Sequence, residues 1–98
     1  TTKPYDAVAK SECVMTDKWI SMNDKVNKSQ KKKILKPYQV NKIMMRKANP
    51  DAIFMHCLPV GRGEEVTDDI IDGKQSVVWR QALNRVHAQK SIIRWCLG

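Results

Sequence analysis

Residue types able to do chemistry follow three apolar runs in this 98-residue chain. The stretch AIFMHCLPVGRGEEV, Ala52 to Val66, breaks off its apolar run at His56 and Cys57. An earlier run, CVMT, Cys13 to Thr16, ends at Asp17. A third, SVVW, Ser76 to Trp79, ends at Arg80, with Arg85 a short way beyond. A carboxylate, a thiol and a guanidinium in these places suit an amine-bearing zwitterion beside an anion. Asp17 can hold an ammonium, and arginine can hold a phosphate or carboxylate with two parallel bonds. The thiol of Cys57 is small and polarisable and can sit against an amine.

Plainer roles stand beside these. A single cysteine after a strand also serves as a small buried hydrophobe. His56 can be a core histidine satisfied by backbone. Neighbours in an extended chain point to opposite faces, so His56 is poorly placed to activate Cys57 as a nucleophile. Gly61-Arg62-Gly63 is too short to cradle a phosphate and reads as a turn. Glu64, Glu65, Asp68 and Asp69 read as the solvated start of a helix.

The elements that must position these residues follow from periodicity. Lys3 to Lys10 predicts a short helix, with Pro4 in its first turn and Tyr5, Val8 and Ala9 on one face. Cys13 to Thr16 predicts a strand, and the polar stretch Asp17 to Gln30 a loop. Pro37 to Ala48 predicts a helix with Val40, Ile43, Met44 and Ala48 on one face, ended by Asn49-Pro50. Ala52 to Met55 is apolar throughout, as in a parallel strand covered on both faces. Thr67 caps a short helix that Gly73 stops, and Asp68 and Asp69 favour its positive end. Ser76 to Trp79 predicts a third strand. Gln81 to Leu97 predicts a closing helix with Ala82, Val86, Ile93 and Leu97 in one stripe.

The expected order is α-β-α-β-α-β-α, an α/β fold of three layers on a parallel, Rossmann-like sheet. Ligands bind such sheets beyond the carboxyl ends of the strands, which is where Asp17, His56, Cys57, Arg80 and Arg85 fall. Three strands make only part of a doubly wound domain, so the chain reads as a piece of something larger.

Composition narrows the function classes. The length allows one small domain with a thin margin of stability. The formal charge is +8. Residues 1–50 hold 12 Lys/Arg and 4 Asp/Glu, whereas residues 51–98 hold 6 of each. The basic excess sits in the first half, at Lys25, Lys28, Lys31, Lys32, Lys33 and Lys36 among others. Such a segment can bind nucleic acid or simply face solvent. It has no interleaved aromatics for base stacking, which disfavours nucleic acid. Cys13, Cys57 and Cys96 are odd in number and widely spaced, with no metal-ligand spacing. They read as reduced thiols of a cytoplasmic protein. No apolar run approaches membrane-spanning length, and no signal peptide is evident.

Three motifs then carry a resemblance over essentially the whole chain. TDKWISMN (Thr16 to Asn23), FMHCLP (Phe54 to Pro59) and NRVHAQK (Asn84 to Lys90) stand in one order and spacing. Together they resemble the ornithine carbamoyltransferases, sisters of the aspartate carbamoyltransferases. LKPYQVN, PDAIFMHCLP and RGEEVTDDIIDG are similar too.

The resemblance implies specific roles. Asp17, Ser21 and Met22 match the loop that binds ornithine and closes over it. Cys57 and Leu58 match the residues between ornithine and carbamoyl phosphate. Arg85 matches an arginine that contacts carbamoyl phosphate, with Leu58 and His56 also on that side. The implied reaction is attack of the ornithine δ-amine on the carbamoyl carbon, giving citrulline and phosphate. It implies no metal and no organic cofactor. Cys57 and Arg85 are then the residues of the reaction centre, and Cys57 neighbours the amine rather than forming a covalent bond. Catalysis would rest on positioning and charge stabilisation.

The chain also departs from the pattern. Asn23 replaces a glycine after Ser-Met, and asparagine tolerates positive φ next best. Arg80-Gln81-Ala82-Leu83 replaces an acidic Asp-Glu-Ala-Glu before Asn84-Arg85. Val60-Gly61 replaces Ala-His. The S-x-R-T-R motif of the carbamoyl-phosphate domain does not occur. Residues 1–98 thus correspond to a partial ornithine-binding domain without the carbamoyl-phosphate domain. The expectation is a chain inactive alone, from a split enzyme, a truncated frame or a decayed gene. Its partners would be a missing-domain chain or a homotrimer, not a membrane and not nucleic acid. A paralogue for another amine and a basic nucleic-acid module remain the alternatives.

Overall fold

The computed structural model describes residues 1–21, 23 and 27–98. Two short strands run parallel, β1 (Cys13–Thr16) and β2 (Ile53–His56). Their register pairs Cys13 with Ile53 and Thr16 with His56, so both carboxyl ends reach the same edge together. Around them lie α1 (Pro4–Val8), α2 (Lys28–Leu35), α3 (Lys42–Met45), α4 (Asp68–Ile71) and the long α5 (Val78–Leu97). A 3-10 turn, Lys36–Tyr38, follows α2. The α/β class and the parallel pairing agree with the expectation.

The third strand shrinks to a single bridge between Phe54 and Ser76. Phe54 N–H donates to the Gln75 carbonyl at 2.8 Å, and Val77 N–H donates to the Phe54 carbonyl at 3.0 Å. The Val77 carbonyl then accepts from Gln81 N–H at 2.8 Å, which already belongs to a helix. Helical bonding thus claims the backbone that a longer strand would need. Val78 is fully buried at the first helical position, while Trp79 is half exposed.

Other boundaries moved for local reasons. Part of the expected Asp17 to Gln30 loop is helical, because the Asn27 side chain caps α2 by accepting from Ser29 and Gln30 N–H. The expected Pro37 to Ala48 helix is interrupted at Val40, which bridges to Val66. Val40 N–H donates to the Glu65 carbonyl at 2.9 Å, and Thr67 N–H donates to the Val40 carbonyl at 3.1 Å. Asn41 then restarts the helix, its side chain accepting from Met44 N–H at 3.0 Å. Val40, Met44 and Ala48 still reach the core, but Ile43 is exposed. Thr67 has the extended backbone of a cap, yet its hydroxyl is buried without a hydrogen bond.

The core centres on Phe54, with Val14, Met44, Val66, Ile71 and Val78 packed around it. It covers one face of the strand pair. Met15 and Ile53, on the other face, are exposed, so β2 is buried on one side rather than both. The expected stripe of α5 is also uncovered. Val86, Ile93 and Leu97 are exposed, and only Ala82 is partly buried. Cys13 and Cys96 are exposed free thiols at the start of β1 and the end of α5, and Cys57 is half-buried. Among the described residues, no helix is long and apolar enough to cross a membrane.

Candidate active site

The parallel register brings Asp17 and Cys57, each the residue just past its strand, side by side. The Cys57 thiol donates to Asp17 Oδ1 at 3.1 Å. Asp17 Oδ1 also accepts from Lys18 N–H at 2.6 Å. Arg85, two turns into α5, donates from Nη2 to the Cys57 carbonyl at 3.0 Å. Carboxylate, thiol and guanidinium therefore meet at the carboxyl edge of the sheet, as the apolar runs implied.

The electrostatics follow from this contact. Accepting the thiol proton holds the Asp17 carboxyl below its ordinary value, and the Lys18 amide adds to the effect. The same bond, with partial burial and the nearby Asp17 charge, pushes the Cys57 thiol up, against a smaller opposite pull from Arg85. Cys57 is therefore held as a thiol at neutral pH, the opposite of an activated nucleophile. It can present a polarisable, proton-bearing sulfur to an amine. Asp17 is exposed, so its carboxylate can hold an ammonium.

His56 takes the core position that was one of its two expected roles. Its ring is buried, at 1% exposure, and both nitrogens are occupied. Nδ1 accepts from Leu58 N–H at 2.9 Å, and Nε2 lies 3.1 Å from Glu65 Oε1. Both ring nitrogens thus meet partners within the chain, between Leu58 and Glu65. Arg80 also stands apart. It is exposed on α5 and lines a cleft with Ile53, Met55 and Gln81 rather than joining Asp17 and Cys57. Ser21 is exposed four residues past Asp17, and Met22 lies outside the described residues. Leu58 is partly buried and adopts φ +57, the left-handed region, ahead of a cis bond to Pro59.

Arg62 makes a structural clamp. It bonds Asp72 with both terminal nitrogens, at 2.6 and 3.0 Å, and Asp68 at 2.8 Å. These carboxylates tie the turn to α4 and push the guanidinium further up. The lysine run lies on α2. Lys32 pairs with Glu64 at 2.5 Å, Lys36 donates to Gln39 Oε1 at 3.0 Å, and Lys25 lies outside the described residues. Sequence reasoning missed three residues that shape the site. Glu65, expected in solvent, is fully buried. Gln81 accepts from His56 N–H at 3.1 Å. Gln39 is buried and donates to the carbonyls of Gly63 and Glu64 at 2.8 and 2.7 Å. The only sequence signal was Glu65 lying against the apolar Val66.

A parallel strand pair with a carboxylate, a thiol and an arginine at its carboxyl edge is the kind of edge where α/β domains take their ligands. Comparison with known proteins makes this specific. Residues 1–96 match the family described as aspartate/ornithine carbamoyltransferase, Asp/Orn binding domain. The ornithine carbamoyltransferase of Rhodopseudomonas palustris strain BisA53 is 58% identical over 97 residues, covering 99% of this chain and 31% of that protein. That of Agrobacterium fabrum is 60% identical over 92 residues, covering 94% and 30%. Among solved structures, the Pyrococcus furiosus ornithine carbamoyltransferase superimposes with TM-score 0.86 at 50% identity, covering 93% of this chain and 29% of that one. The anabolic enzyme from Campylobacter jejuni gives TM-score 0.86 at 33% identity. The chain belongs to the aspartate/ornithine carbamoyltransferase family. It spans under a third of the length of the curated relatives it matches. These comparisons give no support to a basic nucleic-acid module.

Proposed function

We propose that this chain supplies the acceptor-amine side of an ornithine carbamoyltransferase site. The observation that carries the reading is the meeting of Asp17, Cys57 and Arg85 at the carboxyl edge of the strand pair. Asp17, Ser21 and Met22, with Cys57 and Leu58, bind ornithine. Arg85, with Leu58, faces carbamoyl phosphate. The δ-amine, as its free base, attacks the carbamoyl carbon, the C–O bond to phosphate breaks, and the departing phosphate takes the proton that the nitrogen sheds, leaving citrulline. Cys57 stays protonated beside the amine and forms no covalent bond. Catalysis comes from holding amine and carbamoyl carbon in contact and from stabilising the phosphate that departs.

Residues 1–98 form a partial ornithine-binding domain and contain no S-x-R-T-R phosphate motif. We assign full activity to the complete carbamoyltransferase, in the cytoplasm and as a homotrimer. That the relatives are ornithine carbamoyltransferases favours ornithine over another amine.

The test is reassembly. The chain is purified alone and with the complementary N-terminal part of the Rhodopseudomonas relative, and citrulline is measured from ornithine and carbamoyl phosphate. The chain alone should give none, and the assembled pair should turn over. Turnover by the chain alone would refute the need for a partner. A stable pair that binds carbamoyl phosphate yet carbamoylates no ornithine would refute the proposed reaction.

A further inference from the structure

We propose that Glu65 is a positioning residue for the Cys57–Leu58 peptide, acting through the ring of His56. Both side chains are buried, Glu65 at 0% and His56 at 1% exposure, beside a site whose proposed chemistry uses neither. Leu58 N–H donates to His56 Nδ1 at 2.9 Å, so Nδ1 must carry a lone pair. The ring proton then sits on Nε2, which faces Glu65 Oε1 at 3.1 Å and donates to it. The other bond of a ring selects its tautomer, and here Glu65 makes that bond.

One peptide unit lies at the end of this relay. The Cys57 carbonyl and the Leu58 N–H belong to the same plane. Arg85 holds the carbonyl at 3.0 Å, and His56 holds the N–H. The plane therefore cannot turn without breaking a bond at one side or the other. Its orientation sets where Leu58 points and holds that residue at φ +57, an uncommon conformation for a side-chain-bearing residue. Glu65 Oε1 also accepts from Gly61 N–H, so one oxygen ties the strand end to the far side of the turn.

The other oxygen explains the glycine. Among the described residues, Glu65 Oε2 is buried without a partner. A Cβ on Gly61 would stand 2.6 Å from it. Only a residue without a side chain leaves the carboxyl where it is. Gly61→Ala thus displaces Glu65 while keeping every hydrogen-bonding group.

The test uses the full 98-residue chain, labelled with nitrogen-15 and without substrate. This inference rests on reading Cys57 and Leu58 as substrate-facing, but its readouts need no ornithine. Failure of one can therefore be told from failure of the other. Long-range proton–nitrogen spectra report which ring nitrogen of His56 is protonated, and amide exchange reports the Leu58 bond. The native chain should show the Nε2 proton and a protected Leu58 amide. Glu65→Gln keeps an acceptor oxygen and should keep both signatures. Glu65→Leu should mix the tautomers and speed Leu58 exchange by about tenfold, in line with a lost buried hydrogen bond. The Lys10 amide, bonded to the Lys47 carbonyl away from this turn, should be unchanged. A merely structural role would loosen both amides alike. A proton on Nδ1, loss of the signatures in Glu65→Gln, or unchanged spectra in a folded Glu65→Leu would overturn the proposal. If Glu65→Leu fails to fold, Gly61→Ala decides. Faster Leu58 exchange there supports the relay, and an unchanged rate overturns it.

Discussion

Cys57 shows how one hydrogen bond can fix the chemistry of a side chain. By donating to Asp17 the sulfur keeps its proton, and by accepting it the carboxyl stays ionised. The signs are opposite but the outcome is shared. A thiol whose folded pKa is raised stabilises the fold below its ordinary 9.0, and that contribution fades as pH climbs through the raised value. A carboxyl whose folded pKa is lowered contributes above its ordinary 3.8, and fades as pH falls through the lowered value. Both contributions are present together across the neutral range. Replacing Asp17 with asparagine removes the charge and keeps an acceptor. The Cys57 pKa should then fall back toward its ordinary value. Iodoacetamide alkylation of Cys57 at pH 7.5, followed by peptide mass, should quicken, because the thiolate is the reacting form. Equal rates in the two chains would mean that Asp17 does not control the thiol. Asp17 and Cys57 stand at the ends of apolar runs, which is why their meeting was legible in sequence. Glu65 was not, because nothing in its spacing marks a carboxyl that folds inward to meet a histidine nine positions earlier.

At the scale of elements, the first two strands were legible, and the third strand and the helices less so. CVMT and AIFM are short apolar runs with few alternatives, and β1 fell where expected while β2 moved by one residue. The interval Pro37 to Ala48 has helical spacing, but Val40 spends its backbone on Val66, a contact distant in sequence. Long-range pairing of this kind overrides a local period. The caps that resulted can be tested. Asn41 satisfies the start of α3, which carries the buried Met44 and Met45. Asn41→Ala should cost about 1 kcal/mol in urea unfolding, the usual loss for an N-cap of this type. The outer stripe of α5 should behave in the opposite way. Val86 is 46% exposed, so Val86→Glu should change the stability of the isolated chain by no more than about 0.5 kcal/mol. A larger loss would show that this face is already covered. If the proposed reassembly buries that face, the same change should weaken it, and the citrulline assay reads this directly.

For the whole molecule, stability rests on a small core built on one side of two strands. Phe54 is fully buried and touches β1, β2 and the start of α5 through its side chain and backbone. Phe54→Ala removes the centre of that core, at a typical cost of about 3–5 kcal/mol. A domain of this size has little more than that in reserve, so circular dichroism at 25 °C should show the variant largely unfolded. Fold class could be read from alternating strands and helices. The uncovered faces could not, because a sequence pattern shows which residues are apolar and not what lies against them. The placing of the cysteines has a practical consequence. Cys13 and Cys96 are exposed at the far ends of the chain's elements, whereas Cys57 is shielded by Asp17. A maleimide used briefly near neutral pH should attach two probes and spare the third thiol. The native sequence thus carries its own pair of labelling points for a distance measurement from β1 to the tip of α5. That distance would report whether the long helix keeps its angle to the sheet in the reassembly experiment proposed above.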